Sequence, residues 1–449
     1  MDYDVIYLGS GHACNHGGML LAMSGKKVAF VEADRMGGTC TNYGCDAKIL
    51  LDGPFAFMDG LQRYEGLCVE SDIRLDWKKL MDYKRQTISV FDPILEGAFR
   101  QLGVDVLRGR GFLEDAHTVR VGGKTYTAEY IVLGTGQRSA ELDIAGRELT
   151  RDSKDFMELD ALPEHMICIG AGIIAMEFAS MLLTVGKKVT VLVRGDKVLR
   201  AYPQDYVARL IAKMERQGAE FRYHESPASV EKTDAGYRVT TRSGLIVEGD
   251  YVLNAAGRVA NVEDLGLEAL GIKASSRGIE VDDHLRTAVP NIYATGDVVA
   301  KRVPKLTPTA EFESNYVACQ ILGVSDAPIC YPPVPNLVFT LPRIGQVGVN
   351  VDEAKKHPEQ YKVVENDWGR VNDWVASHET DAHLTLVFDQ DEYLVGAAAY
   401  SSEAGTWLDY LTPIIDKRMT ARDLSGMIMS FPTQTYMLWS ILQQSLRRA

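Results

Sequence analysis

A chain of 449 residues has room for about three domains of ordinary size, each burying its own core. Its 61 acidic residues against 48 basic ones leave a net charge of -13, so neither a nucleic-acid partner nor an anionic membrane surface is expected. A composition of 46% hydrophobic and 24% charged residues excludes disorder, and seven scattered cysteines, an odd number, exclude a secreted disulfide framework.

From the first residues the pattern is that of a strand, Asp4 to Leu8, rather than of a signal peptide, and a cytoplasmic location is expected. The strand runs into Gly9-Ser10-Gly11 and a helix reaching Ser24, with Cys14 where a third glycine usually stands. A second strand, Lys27 to Glu32, ends in an acid 23 residues after Gly9. Glycine turn, helix start and acid together suit a dinucleotide: the helix amides take the pyrophosphate and Glu32 accepts from a ribose.

Residues 37 to 48 then read Gly-Gly-Thr-Cys-Thr-Asn-Tyr-Gly-Cys-Asp-Ala-Lys. On a straight helix residues five apart are separated by about 7.5 Å of rise, whereas a disulfide needs Cα atoms within roughly 7 Å. Cys40 and Cys45 therefore bridge only across a bent helix entry, which Gly37, Gly38 and Gly44 permit. Helices are predicted over Asp52 to Arg63 and over Trp77 to Leu102, strands and turns over Val104 to Val121, and a strand at Tyr130 to Leu133.

After a linker at Ala161 to His165 the dinucleotide pattern repeats: strand Met166 to Ile169, turn Gly170-Ala171-Gly172, a helix to about Val185, and strand Lys188 to Val193. The apolar run Met166 to Leu183 is long enough to suggest a membrane span, but its glycines and Glu177 favour strand, turn and helix. This second repeat ends in Arg194, with Lys197 and Arg200 behind it, rather than in an acid. Arginines there bind a 2′-phosphate through charge-assisted hydrogen bonds, so NADPH is expected over NADH. From about Tyr331, Pro332, Pro333 and Pro335 mark a boundary; strands are predicted at Val338 to Ile344, His383 to Asp389 and Tyr393 to Tyr400, and helices in the last 45 residues.

The cysteine stretch, the two dinucleotide turns, Asn254 to Asn261, Asn291 to Asp297 and Leu306-Thr307-Pro308 resemble the flavoprotein disulfide reductases, such as glutathione reductase, dihydrolipoamide dehydrogenase and mercuric reductase, over nearly the whole chain. The resemblance implies an α/β fold with two Rossmann-like dinucleotide-binding domains and a C-terminal α+β dimerisation domain. It divides the chain into residues 1–140 and 258–330 for FAD, 141–257 for NADPH, and 331–449 for the interface of a homodimer. It assigns Gly9, Gly11, Glu32, Gly38, Thr39, Lys48, Gly136, Asp297 and Thr307 to FAD, and Gly170, Gly172, Arg194, Arg200 and Gly257 to NADPH. Cys40 and Cys45 become a redox disulfide, with Cys45 on the flavin side and Cys40 attacking the substrate; Lys48 lies near the flavin and pairs with Glu177.

Several positions depart from the family pattern. Cys14 replaces a glycine, Gly134 an alanine, Ala47 a proline, and Ile173 the tyrosine that gates the nicotinamide pocket of glutathione reductase. Met19 and Asn315 stand where glutathione reductases carry arginines, which disfavours glutathione disulfide as substrate. The family's C-terminal His-Pro-Thr-x-x-Glu reads Phe431-Pro-Thr-Gln-Thr-Tyr436, so the histidine acid/base and its glutamate are replaced by Phe431 and Tyr436. Losing a general acid costs about 10²- to 10⁴-fold where the leaving thiolate needs a proton, and a phenol substitutes poorly for an imidazole.

Three functions compete on these residues. The expected one is reduction of a small disulfide or related sulfur compound; the alternatives are reductive thioether cleavage with carboxylation, as in a family branch that lacks the dyad, and a flavin-binding sensor with a vestigial disulfide. No metal site is expected. His12, His16, His378 and His383 read as structural or solvated side chains.

Overall fold

Val5, Ile6, Tyr7 and Leu8 are all buried, as a strand covered on both faces requires. In the computed structural model, which describes residues 1–70, 73–371 and 376–447, the strand Tyr3–Leu8 is central to a seven-stranded sheet. It pairs in parallel with Val28–Glu32 on one side and Lys124–Leu133 on the other; Asp105–Arg108 lies beyond the first and Ile292–Ala294 beyond the second. A four-stranded parallel sheet repeats the order with Ala219–Tyr223, Lys188–Val193, His165–Ile169 and Tyr251–Asn254. In each sheet the chain reverses direction of build beside its first strand, and that reversal opens a crevice at the strands' carboxyl ends.

The fold is thus α/β, with two Rossmann-like units followed by an α+β unit. The latter is an antiparallel five-stranded sheet, ordered Asn336–Val338, Arg343–Gly348, Leu394–Ser401, His383–Asp389 and Tyr361–Asp367. The helices Ala404–Asp416 and Gln434–Ser445 contribute Trp407, Leu411, Leu438 and Leu442 to its core. Among the described residues no helix is long and apolar enough to cross a membrane: Met166 to Leu183 divides into a strand and the helix Ile173–Thr184.

Three local expectations are corrected. The helix predicted over Trp77 to Leu102 is two, Trp77–Ser89 and Phe91–Gln101, parted at Val90. Pro93 has no N–H for the carbonyl of Ser89, so the first helix cannot continue through it, while a proline in the first turn of the second is tolerated. The predicted strand Val338 to Ile344 is the turn of a hairpin between Asn336–Val338 and Arg343–Gly348, because Pro342 cannot donate to a ladder. The helix predicted from Asp52 begins seven residues earlier, at Cys45, and carries Pro54 within it.

Candidate active site

The bend that the cysteine spacing demands lies at Gly44. A short helix, Gly38–Tyr43, ends there and the helix Cys45–Gln62 begins, with Gly44 at φ −141° and ψ −118°. A Cβ on Gly44 would stand 2.9 Å from the Thr39 carbonyl oxygen and 3.2 Å from Cys40 Cα, so only glycine lets the second helix fold back this tightly. As a result both sulfurs meet one hydroxyl: Thr307 Oγ1 is 3.2 Å from Cys40 Sγ and 3.5 Å from Cys45 Sγ. Both residues are free thiols here. The hydrogen bond from the Cys40 thiol, then the Thr307 hydroxyl and the nearby Lys48 ammonium, bring the Cys45 thiol down to about 6 against the cost of burial. The same bond, with burial, pushes the Cys40 thiol up.

One turn into that helix, Lys48 Nζ donates to both oxygens of Glu177 at 3.0 and 2.9 Å. Glu177 is buried on Ile173–Thr184 of the second unit. Its carboxylate also accepts from the Phe339 amide of the third unit at 2.9 Å, and the Phe339 ring lies 4.1 Å beneath the ammonium. Asp52, a further turn along, is ion-paired with Arg343. All three units therefore meet beside the sulfur pair.

The first glycine turn is a groove of bare backbone. Gly9 holds φ +113°, and a Cβ on it would meet the Gly134 carbonyl oxygen at 2.5 Å; a Cβ on Gly38 would come within 3.0 Å of Gly11 Cα. Cys14 and Gly134 explain one another, because a Cβ at 134 would stand 2.1 Å from the Cys14 sulfur. Glu32 accepts from the Ser10 amide at 3.0 Å, its hydroxyl at 2.6 Å and the Asp34 amide at 2.8 Å, fixed at the end of its strand. Asp297 follows Gly296, whose amide donates at 2.6 Å to the buried Glu313; Glu313 also holds Lys301 and Tyr331. The Asp297 carboxylate makes no hydrogen bond with the described residues. Gly136 and Gly257 take left-handed φ values of +69° and +141° at the two crossings between units. This cradle of glycines, with an acid at each end and the Thr307 helix start beside it, fits an FAD.

The second turn has Gly170 at φ +108°, with the Ala255 carbonyl oxygen 2.4 Å from where a Cβ would be, and Gly172 at the helix start. Beyond Val193 the chain folds back, the Leu199 amide donating to the Ala171 carbonyl at 3.0 Å. Arg194, Lys197 and Arg200, all exposed, lie on that return. Ile173, next to Gly172, is 38% exposed.

Phe431 and Tyr436 pack edge-on at 5.1 Å, and Tyr436 lies 5.3 Å from Trp439; Phe431 is 74% exposed in the single chain. The structure also gathers residues to which the sequence reading gave no role. Phe339 and Arg343 have no local motif to announce them, and Glu311 joins His12 and His16, whose spacing of four was the only available signal. His378 and His383 lie apart from these, in the C-terminal unit.

Two family profiles match the chain: "Pyridine nucleotide-disulphide oxidoreductase" over residues 3–314 and its "dimerisation domain" over residues 334–440. Dihydrolipoyl dehydrogenase of Geobacillus stearothermophilus is 29% identical over 96% of this chain and 94% of its own length. Glutathione reductase of Burkholderia cepacia is 28% identical over 96% of each. Among solved structures, the HOCl-induced flavoprotein disulfide reductase RclA from Escherichia coli aligns with a TM-score of 0.87, at 23% identity over 98% of this chain and 99% of that one, a likeness of fold. Bent cysteine pair, doubled dinucleotide fold and matches spanning both halves of the molecule lead to one conclusion: the chain belongs to the FAD-dependent pyridine nucleotide-disulphide oxidoreductases.

Proposed function

We propose that the chain is an NADPH-dependent oxidoreductase that passes electrons through a Cys40–Cys45 disulfide to a small disulfide or related sulfur substrate other than glutathione disulfide. The observation that carries this reading is the single Thr307 hydroxyl within reach of both sulfurs, beside a Cys45 thiol held down to about 6. In this reading residues 1–140 and 258–330 hold FAD, 141–257 hold NADPH, and 331–449 form the interface of a homodimer in the cytoplasm. Bound FAD supplies the relay of two electrons from nicotinamide to disulfide.

The chain's own residues do the rest. Lys48, held by Glu177, places positive charge beside Cys45 and favours its thiolate. Cys40 passes its shared proton to the Cys45 thiolate as it attacks the substrate disulfide, and the departing thiolate takes that proton and leaves as a thiol. Cys45, a thiolate again, then attacks Cys40, the second thiolate departs to be protonated, and the Cys40–Cys45 bond is restored. The balance is NADPH, a proton and one disulfide giving NADP⁺ and two thiols. Gly9, Gly11, Glu32, Gly38, Thr39, Gly136, Asp297 and Thr307 hold the flavin, and Gly170, Gly172, Arg194, Arg200 and Gly257 the reduced nicotinamide. The exposed Phe431 and the half-buried Tyr436 support a site completed by the partner subunit without an imidazole acid.

Without that acid, rate follows the acidity of the leaving thiol. In NADPH oxidation with a panel of low-molecular-weight disulfides, aromatic disulfides are expected to turn over faster than alkyl ones. Cys45→Ser is expected to abolish turnover with flavin retained; turnover surviving in that variant would overturn the reading. The apolar Phe431 face favours one second reading, thioether cleavage with carbon dioxide trapping the carbanion, and label from bicarbonate appearing in product would select it.

A further inference from the structure

We propose that His12, His16 and Glu311 form a binding site for one divalent first-row transition cation of the zinc type, on the flank of the sulfur pair. His12 and His16 stand one turn apart on one face of the helix His12–Met23, with rings stacked at 5.4 Å and 26°. Glu311 projects from the neighbouring helix Thr307–Ile321. The three ligand atoms make a nearly equilateral triangle. His12 Nδ1 is 3.1 Å from His16 Nε2 and 2.9 Å from Glu311 Oε1, and His16 Nε2 is 3.3 Å from the same oxygen. Ligands held about 2.0–2.1 Å from a tetrahedral or octahedral cation stand about 2.9–3.4 Å from one another, so the triangle is one face of such a coordination shell.

Hydrogen bonding alone satisfies this triangle poorly. If both nitrogens donate to Glu311 Oε1, their two protons face each other across 3.1 Å; if one does not, its lone pair faces the carboxylate. A cation at the centre of the three lone pairs removes the conflict. Two imidazoles and a carboxylate select the borderline metals over magnesium or calcium, which prefer oxygen. The side chains are 23%, 32% and 35% exposed, which leaves the outer coordination positions open to water or to another ligand.

One further fact sets the site beside the redox centre: Glu311 lies one turn along from Thr307, whose hydroxyl meets both sulfurs. The other cluster of this kind among the described residues, Asp282, Asp283 and His284, differs in chemistry. It has one imidazole, and both of its ring nitrogens are engaged, by Asp283 at 2.8 Å and by the Asp326 carbonyl at 2.9 Å.

The site is independent of the proposed substrate. Its test uses the FAD-loaded protein with Cys40 and Cys45 oxidised, so that thiols do not compete, stripped with a chelator and titrated with Zn²⁺ against a chromophoric indicator. One Zn²⁺ per chain is expected, weakened at least tenfold in both His16→Ala and Glu311→Gln, with the flavin absorbance unchanged. If His16→Ala does not fold, the surface change Glu311→Gln alone carries the comparison. Absence of binding in the parent protein, or equal affinity in Glu311→Gln, would overturn the proposal.

Discussion

Cys45 and Cys40 differ by one shared proton. The bond from Cys40 stabilises a thiolate at Cys45, so below pH 6 that sulfur is a thiol and above it a thiolate, and the charge is lost as pH falls through about 6. In the reduced protein the initial rate of Cys45 alkylation, followed by peptide mass spectrometry, is expected to rise with a midpoint near 6 and then level off, while that of Cys40 keeps rising past pH 9. A Cys45 midpoint near 8.5, that of a free thiol, would contradict the arrangement. The buried Cys14 poses a packing question instead. Gly134→Ala drives a methyl group onto the Cys14 sulfur, which lies 2.1 Å from the added carbon, and is expected to cost about 1–3 kcal/mol in urea denaturation. Adding Cys14→Gly should recover most of that loss; strictly additive effects would show that the two positions do not share their space.

At the scale of elements, the helix Cys45–Gln62 does more than present a sulfur. Lys48, Asp52 and Asp59 bond respectively to Glu177, Arg343 and Lys213, so the helix ties the first unit to the second and third. Asp52 is almost wholly buried and Arg343 nearly so, and removing the carboxylate strands a buried guanidinium. Asp52→Ala is expected to lower stability by about 3–5 kcal/mol, measured by denaturant unfolding. A loss below about 1 kcal/mol would mean that water reaches the pair. Of these ties, only the Lys48–Glu177 pair was legible, through the family resemblance; those of Asp52 and Asp59 were not, because a contact between residues 52 and 343 leaves no periodic or spacing signal in either segment. The strands Lys188 to Val193 and His383 to Asp389, by contrast, were legible to the residue, since local apolar patterning and turn chemistry decide them. The bend at Gly44 was legible as a geometric necessity of the cysteine spacing. The break at Val90 was missed because amphipathic spacing persists across Pro93, and the Val338 to Ile344 turn because an apolar run hid Pro342.

For the molecule as a whole, the doubled dinucleotide fold was legible because each copy is a local strand-turn-helix-strand unit, and the resemblance already implied their joining through Lys48 and Glu177; the third unit's contact with Glu177, through the Phe339 amide, emerges only in three dimensions. Glu177 takes its two hydrogen-bond partners, Lys48 and the Phe339 amide, from the first and third units, so the second unit is anchored at Lys48, one turn along the helix from Cys45. Ile428 is fully exposed and Phe431 largely so in a segment matched by the dimerisation-domain profile, the pattern of a surface that a second subunit covers. Everything proposed for the activity depends on electrons from NADPH arriving at two particular sulfurs. Differential alkylation of the FAD-loaded protein, before and after anaerobic addition of NADPH, reads this directly. Cys40 and Cys45 are expected to be unlabelled beforehand and labelled afterwards, with the other five cysteines unchanged. Flavin bleached by NADPH while labelling of the pair stays the same would contradict it.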